Sequence, residues 1–156
     1  MPIEIERKFL VANDSWRQGA VGKAFCQGYL SRSPEATVRV RTEGGDACLT
    51  IKGTTSGISR QEFEYSIPFQ DAKELQRLCT TPLVIKTRYE ILYEGQIWEV
   101  DEFHGDNEGL VIAEIEIDHP EAPIKLPPWV GKEVSHEERY YNSNLSTSPF
   151  KTWSQR

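Results

Sequence analysis

The sequence predicts a mainly β protein of the α+β class: a closed eight-stranded antiparallel β-barrel, or tunnel, with a charged lumen and a few helices outside. About eight segments alternate polar and apolar residues with the period of two that is typical of strands. Consecutive segments are mostly joined by short turns, which favour antiparallel neighbours. Charged residues recur on one face of seven segments, and a closed antiparallel sheet of this size leaves no free edge.

The first predicted strand, residues 2–10, sets the pattern. Glu4, Glu6 and Lys8 alternate with apolar residues, so the charged and apolar side chains lie on opposite faces. If the charged face points to water, the strand is an ordinary half-buried one. If it points inward, two carboxylates and an ammonium share a confined space, which is costly without partners. The remaining strands decide between the two.

The other elements follow in order along the chain. Further strands are predicted at 22–32, 36–42, 47–52, 59–67, 83–93, 96–103 and 110–118. Residues 13–17 offer cap residues and predict a short helix. Residues 71–79 predict the main helix, because apolar residues recur at helical spacing with Leu78 on the buried side. The stretch 130–145 is expected to contain one or two short helical turns.

One face of seven predicted strands is charged. The candidate lumen residues are the cations Lys8, Arg39, Arg41, Lys52, Arg60, Lys86 and Arg88 and the anions Glu4, Glu6, Glu62, Glu64, Glu99, Asp101, Glu114 and Glu116. They are seven of the 18 basic and eight of the 24 acidic residues, a net charge of −1, which leaves −5 for the rest. A single charged row is an ordinary solvated face. Seven rows with interleaved signs favour a polar lumen over a sandwich.

A lumen with both signs suits a ligand that brings divalent metal together with many negative charges. Arg and Lys bind phosphoryl oxygens, while carboxylates hold hard Mg²⁺ or Mn²⁺ ions that bridge to the same oxygens. The sequence contains no Walker motif, because Ile51-Lys52-Gly53-Thr54 lacks the upstream glycine loop. The phosphate chemistry is therefore expected to come from side chains of the barrel.

Composition argues against several other classes of protein. A net charge of −6 disfavours a broad surface for nucleic acid or anionic membrane. No window approaches the roughly 20 apolar residues of a membrane span, and no signal pattern is present, so a cytoplasmic location is expected. Cys26, Cys48 and Cys79 form no Cys-x-x-Cys pair and are expected to be free thiols. A chain of this length is expected to form one domain, 1–156.

Taken together, these motifs resemble the CYTH superfamily, the triphosphate tunnel metalloenzymes. The similar stretches are Glu-x-Glu-x-Lys at 4–8, then 38–41, 49–53, 60–64, 86–89, 98–103 and 113–116. Residues 27–30 and 139–145 are most similar to the short bacterial single-domain members. The resemblance implies an eight-stranded antiparallel tunnel that binds a linear triphosphate and hydrolyses it with one or two Mg²⁺ or Mn²⁺ ions.

The resemblance also implies roles for the lumen residues. The implied metal ligands are Glu4, Glu6, Asp101, Glu114 and Glu116, and the implied triphosphate ligands are Lys8, Arg39, Arg41, Lys52, Arg60, Lys86 and Arg88. Arg60 is expected to pair with Glu62 or Glu64, and those two carboxylates are candidates for placing water or a second metal. Lys8 and Tyr29 are a candidate acid/base pair, because a lysine among cations loses its proton more easily. Arg7 has no assigned role.

The expected reaction is hydrolysis of inorganic tripolyphosphate to diphosphate and phosphate, by in-line attack of water on a terminal phosphorus. The alternatives within the fold are an adenylyl cyclase and a thiamine triphosphatase, which need a platform for a base or thiazolium; Trp129 and Trp153 are the candidates. An alternative of another class is a polyphosphate- or nucleotide-binding protein without turnover. The expected partner is a small-molecule triphosphate, with no nucleic acid and no membrane, and likeness to the family suggests a homodimer.

Overall fold

The structure, a computed structural model, describes residues 3–153 and is built mainly of strands. The strands are β1 (Ile3–Val11), β2 (Gly22–Ser33), β3 (Ala36–Glu43), β4 (Asp46–Lys52), β5 (Ser59–Ser66), β6 (Val84–Tyr93), β7 (Gln96–Phe103), β8 (Val111–Glu116) and β9 (Val130–Glu133). The helices are α1 (Phe69–Gln76) and α2 (Asn142–Leu145), with single 3-10 turns at Ser15–Arg17, Gly105–Asn107, Glu138–Tyr140 and Phe150–Thr152. Within residues 3–153, no helix has the length and apolar character needed to cross a membrane.

Eight of the strands form a closed antiparallel ring. Their order is β5-β4-β3-β2-β6-β7-β8-β1, and β1 returns to pair with β5. The closing pairing joins three residue pairs of the described chain, from Ile3 opposite Gln61 to Ile5 opposite Ser59, whereas β6 and β7 are joined by eight. The predicted closed eight-stranded antiparallel architecture is confirmed.

A ninth strand occupies part of the stretch for which only helical turns were predicted. β9 pairs with β1 through Phe9 opposite Glu133 and Val11 opposite Val130. The next residue, Val134, donates its N–H to the carbonyl of Lys8 at 2.8 Å. With four residues, β9 is too short for its alternation to be recognised in the sequence. The predicted helical turns follow it, at Glu138–Tyr140 and in α2.

The outer face of the ring is apolar and covered. Phe9 and Trp98 pack edge to face with ring centroids 5.5 Å apart, and Trp129 packs on Trp98 at 5.9 Å. Trp16, from the first 3-10 turn, belongs to the same buried cluster. On another side, Ala72 of α1 lies against the outer face of the sheet. The polarity is therefore inverted, with charged residues inside and apolar residues outside.

Helix α1 begins two residues and ends three residues earlier than predicted. Its buried residues are Ala72 and Gln76, and the Gln76 amide donates to the carbonyl of Cys26 at 3.1 Å. Leu78, predicted on the buried side, is 66% exposed because the helix has already ended. The apolar spacing identified the helix, but not the residue at which it stops.

One end of the lumen is filled by apolar side chains. Val84, Phe103 and Ile112 occupy the same strand faces as the charged rows of β6, β7 and β8, and all three are buried. They pack against the C-terminal stretch, residues 134–153, chiefly through Tyr140 and Leu145. The C-terminal stretch therefore closes the lumen on the side of these three strands.

Candidate active site in the lumen

The charged rows point into the lumen, as the alternation predicted. Fourteen of the fifteen candidate residues line two adjoining cavities that share Glu4, Glu6, Arg39 and Lys52. The fifteenth, Asp101, is fully buried behind the lining. Residues from seven strands thus converge on one polar space.

Asp101 is bonded on both oxygens to cations. Lys86 Nζ lies 2.8 Å from it, and Arg88 approaches it with two nitrogens, at 2.7 and 2.9 Å. Burial would raise the pKa of Asp101, but the two cations hold it below its ordinary value. This geometry orients the two cations and leaves Asp101 little capacity to act as a metal ligand.

Lys86 is the cation most affected by burial. Its side chain is 1% exposed, and Asn142 Oδ1 accepts a second hydrogen bond from its ammonium at 3.1 Å. Burial lowers the pKa of Lys86 to about 8, although the charge of Asp101 opposes this. Arg88 contributes to the lowering, because two neighbouring cations repel each other.

Lys8 differs from the lysine that the sequence led us to expect. Its nearest charged partner is Glu114, at 3.4 Å, and its neighbours are carboxylates rather than cations. Burial would lower the pKa of Lys8, but the charges of Glu114, Glu6 and Asp101 raise it above its ordinary value. The prediction that Lys8 loses its proton easily is therefore wrong. Tyr29 lines the same cavity, and its hydroxyl accepts a hydrogen bond from Gln27 at 3.0 Å.

Two pairs of carboxyl groups meet between neighbouring strands of the lumen wall, one between β1 and β8 and one between β1 and β5. Glu6 and Glu114 share a hydrogen bond, as do Glu4 and Glu62. Burial, and then the charges of Glu114 and Glu4, raise the pKa of Glu6 well above its ordinary value. Burial acts in the same direction on Glu114, but Lys8 and Arg88 hold its pKa well below the ordinary value. Glu6 is therefore the member of this pair that holds a proton more readily.

The donor chemistry of these pairs fits a hard divalent ion. Among residues 3–153, no three acidic, histidine or cysteine side chains stand close enough together to hold an ion as they are placed. A carboxyl pair joined by a proton is nevertheless the kind of site at which a hard cation replaces the proton, because metal ligands must be deprotonated. Glu116 lies opposite Glu6 in the strand register and lines the same cavity.

Buried guanidinium groups in the lumen have unused donors. Arg39 donates to Thr50 Oγ1 at 3.2 Å, and Glu64 lies 3.7 and 3.8 Å from Arg39 and Arg41. The Nε atoms of both arginines are buried, and neither has an acceptor among residues 3–153. Buried donors without acceptors are rare, and anionic oxygens are the acceptors that guanidinium donors bind most strongly.

Arg60 and Arg7 have partners that the sequence did not indicate. Arg60 donates twice to the carbonyl of Gly53, at 3.1 and 2.9 Å, so its expected pairing with Glu62 or Glu64 is wrong. Arg7 binds Glu133 with two hydrogen bonds, at 2.9 and 2.7 Å, and thereby ties β1 to β9.

Several lumen residues carry no charge and were given no role by the sequence reasoning. Phe25 lies beside Arg41 and Arg88, and Gln27 is fully buried next to Tyr29. The alternation of β2 placed these three on one face, but only the strand register shows that this face is the inner one. Asn142 and Ser135 reach the lumen from the C-terminal stretch, and no local pattern announces them.

The candidate platforms for a base or thiazolium lie outside the lumen. Trp129 packs on Trp98 in the outer cluster. Trp153 packs edge to face against Tyr140 and Phe150, with centroids 5.3 and 5.1 Å apart. Neither tryptophan lines the two lumen cavities.

These features define a class of protein: a closed antiparallel tunnel whose lumen is lined by interleaved cationic and acidic side chains. In a comparison with protein families, the CYTH domain model matches residues 2–148. The chain belongs to the CYTH domain family.

Relatives of this chain include two inorganic triphosphatases. That of Acetivibrio thermocellus is 48% identical over 151 residues, which cover 96% of this chain and 97% of the relative. That of Nitrosomonas europaea is 37% identical over 150 residues, which cover 93% and 97%. A crystal structure of an inorganic triphosphatase superposes with a TM-score of 0.66 at 34% identity and covers 94% of this chain and 95% of its own.

Proposed function

We propose that this protein is a divalent-metal-dependent inorganic triphosphatase that hydrolyses tripolyphosphate to diphosphate and phosphate within the lumen. The observation that carries the proposal is that buried arginine donors without acceptors among residues 3–153 share one lumen with carboxyl pairs, whose oxygens are ligands of hard cations. Linear triphosphate supplies the acceptors, and its accompanying metal supplies the cation. The relatives at 48% and 37% identity support this substrate.

The proposed ligands divide by charge. Lys8, Arg39, Arg41, Lys52, Lys86 and Arg88 bind the phosphoryl oxygens, with Arg60 at the edge of the cavity. Glu4, Glu6, Glu114 and Glu116 hold one or two Mg²⁺ or Mn²⁺ ions, while Asp101 orients Lys86 and Arg88. An ion held there would neutralise charge on the phosphoryl oxygens and lower the pKa of a water bound to it.

Phosphoryl transfer requires positioning and charge neutralisation more than covalent chemistry. Lys8, kept cationic by its carboxylate neighbours, stabilises charge on the reacting phosphoryl group and does not act as a base. To Glu62 and Glu64, on β5, we assign the orientation of the attacking water. Tyr29 contributes its hydroxyl at the same cavity, held by the amide of Gln27.

The decisive experiment measures phosphate release from tripolyphosphate, ATP and thiamine triphosphate, each with Mg²⁺, Mn²⁺ or chelator. We expect release from tripolyphosphate only with metal. Cyclic AMP formed from ATP would indicate an adenylyl cyclase. Preferred hydrolysis of thiamine triphosphate would indicate a thiamine triphosphatase, and binding without phosphate release would indicate a sensor. Any of these three would contradict the proposal.

Variants test the ligand assignment. Arg88→Ala and Glu6→Gln should each lower kcat/KM at least about 100-fold, because each removes a group from a desolvated, charge-matched site. Lys132→Ala and Glu137→Gln are the matched controls, since these two residues form an exposed ion pair outside the lumen, and they should retain activity. Full activity of Arg88→Ala or Glu6→Gln would refute the assigned role.

The remaining expectations stay predictions. We propose a single domain over 1–156, a cytoplasmic location and, on likeness to the family alone, a homodimer. The three cysteines are free thiols, which is consistent with a reducing compartment.

A further inference from the structure

Phe25 lies among three cations of the lumen. The guanidinium carbons of Arg88 and Arg41 lie 4.8 and 4.9 Å from the centroid of its ring, and Lys86 Nζ lies 5.9 Å away. Phe25 is 5% exposed and stands directly opposite Lys86 in the register of β2 and β6. One neutral ring therefore contacts three of the proposed phosphate ligands.

The buried part of this β2 row has no charged residue. Phe25, Gln27 and Tyr29 face the lumen, whereas the adjacent rows of β3 and β6 carry Arg41 and Lys86. A carboxylate at position 25 would neutralise its neighbours and occupy their N–H donors. The face of an aromatic ring is negative and attracts cations, yet it carries no net charge and no carboxylate oxygens.

We propose that Phe25 is a positioning residue for triphosphate binding: its ring holds Arg41, Arg88 and Lys86 close together while leaving their charge and their N–H donors available to phosphoryl oxygens. This inference rests on the proposed function, because it assigns Phe25 to the binding of the same substrate. Carboxylates hold the same three cations from other sides. Asp101 binds Lys86 and Arg88. Glu99 and Glu114 approach Arg88, and Glu43 and Glu64 approach Arg41.

The role can be separated from simple packing by changing only the electrostatics of the ring. Phe25 is replaced by 4-fluoro-, 3,5-difluoro- and 3,4,5-trifluorophenylalanine, which keep the shape of the side chain and progressively remove the negative face. We expect the KM for tripolyphosphate to rise stepwise, to about tenfold in the trifluoro variant, with kcat changed less than about twofold. The thermal midpoint should not change, since packing is preserved.

The same series at Phe9 is the matched control. Arg7 lies 5.4 Å from the ring of Phe9, but Phe9 belongs to the outer cluster, so fluorination there should leave KM unchanged. Phe25→Leu, which removes the ring, should raise KM at least as much as trifluorination, and Phe25→Trp should largely retain binding. A KM that is flat across the fluorinated series at position 25 would overturn the inference.

The affinity for tripolyphosphate, measured by calorimetry in chelator, distinguishes failure of the proposed function from failure of the inference about Phe25. A wild-type protein that binds tripolyphosphate without hydrolysing it would refute the proposed function, and the affinities of the fluorinated series would still decide the role of Phe25. A wild-type protein that neither binds nor hydrolyses tripolyphosphate would refute both.

Discussion

Lys8 and Lys86 are both buried lysines of the lumen, yet their surroundings act on them in opposite directions. Lys8 lies among carboxylates, which outweigh the effect of burial and raise its pKa. Lys86 has one carboxylate partner that it shares with Arg88, so burial prevails and lowers its pKa to about 8. The charge of Lys86 therefore changes in the pH range where assays are run.

The pH dependence of kcat/KM tests this difference. In the free enzyme the cationic fraction of Lys86 falls as pH rises through about 8, so kcat/KM for tripolyphosphate should fall above this pH with a limiting slope near −1. Lys86→Arg keeps its charge at all these pH values, so the fall near pH 8 should disappear. The measurement is kcat/KM from pH 7 to 10 at constant free metal. The same fall in Lys86→Arg would assign it to another group.

For single residues, the sequence predicted which way a side chain points but not which residues it contacts. Alternation is a local property, so it indicated which charges face inward. The partner of a side chain depends on the register between strands that are distant in sequence, and for this reason the surroundings of Lys8 and the contact of Arg60 with Gly53 were predicted wrongly.

Among the elements, the C-terminal stretch does most to shape the site. It closes one end of the lumen with Tyr140 and Leu145 and presents Asn142 to Lys86. Arg32 fixes it to β2 through the carbonyl of Ser143, at 2.9 Å. Apolar packing therefore determines where a polar lumen residue lies.

Leu145→Ala tests this dependence. Leu145 is 1% exposed, so the truncation should leave a cavity and lower the free energy of unfolding by about 2–5 kcal/mol. The KM for tripolyphosphate should also rise, since Asn142 is displaced from Lys86. Leu126→Ala is the control: Leu126 is exposed, and its truncation should cost less than about 0.5 kcal/mol. Urea unfolding and steady-state kinetics measure both effects; equal stabilities of the two variants would contradict the packing role.

The sequence predicted long elements well and short ones poorly. Strands β2 to β7 lie within about two residues of the predicted bounds, because turn residues mark their ends. β9 was missed because its four residues are specified by the free edge of β1, a contact more than a hundred residues away in the chain. The early end of α1 was missed because Leu78 continues the apolar spacing beyond Gln76.

The pairing of β1 with β5, which we call the seam, is the weak point of the ring. β1 and β5 share three residue pairs in the described part of the chain, and side chains reinforce the closure. Lys52 Nζ lies 2.9 Å from Glu4, and Glu4 also shares a hydrogen bond with Glu62. A ligand bound by residues from both sides of this seam should hold the ring closed.

Hydrogen exchange measures this effect. Without ligand, amides of β1 and β5 near the seam should exchange faster than those of the β6–β7 hairpin, which is joined by eight pairs. Tripolyphosphate, added in chelator to prevent turnover, should slow exchange in peptides covering 3–11 and 59–66 more than in peptides covering 84–103. Uniform slowing across all peptides would show that the ligand stabilises the ring without acting on the seam.

The pairing of β9 with β1 also bears on solubility. β5 pairs with β1 only as far as Ile5. Beyond Ile5, β9 covers the same edge of β1 and pairs with the backbone of Phe9 and Val11. Proteolytic loss of β9 would leave apolar residues on an open edge, and such edges pair between molecules. β9, whose four residues contribute no side chain to the lumen, thus protects β1, the first strand of the site, from self-association.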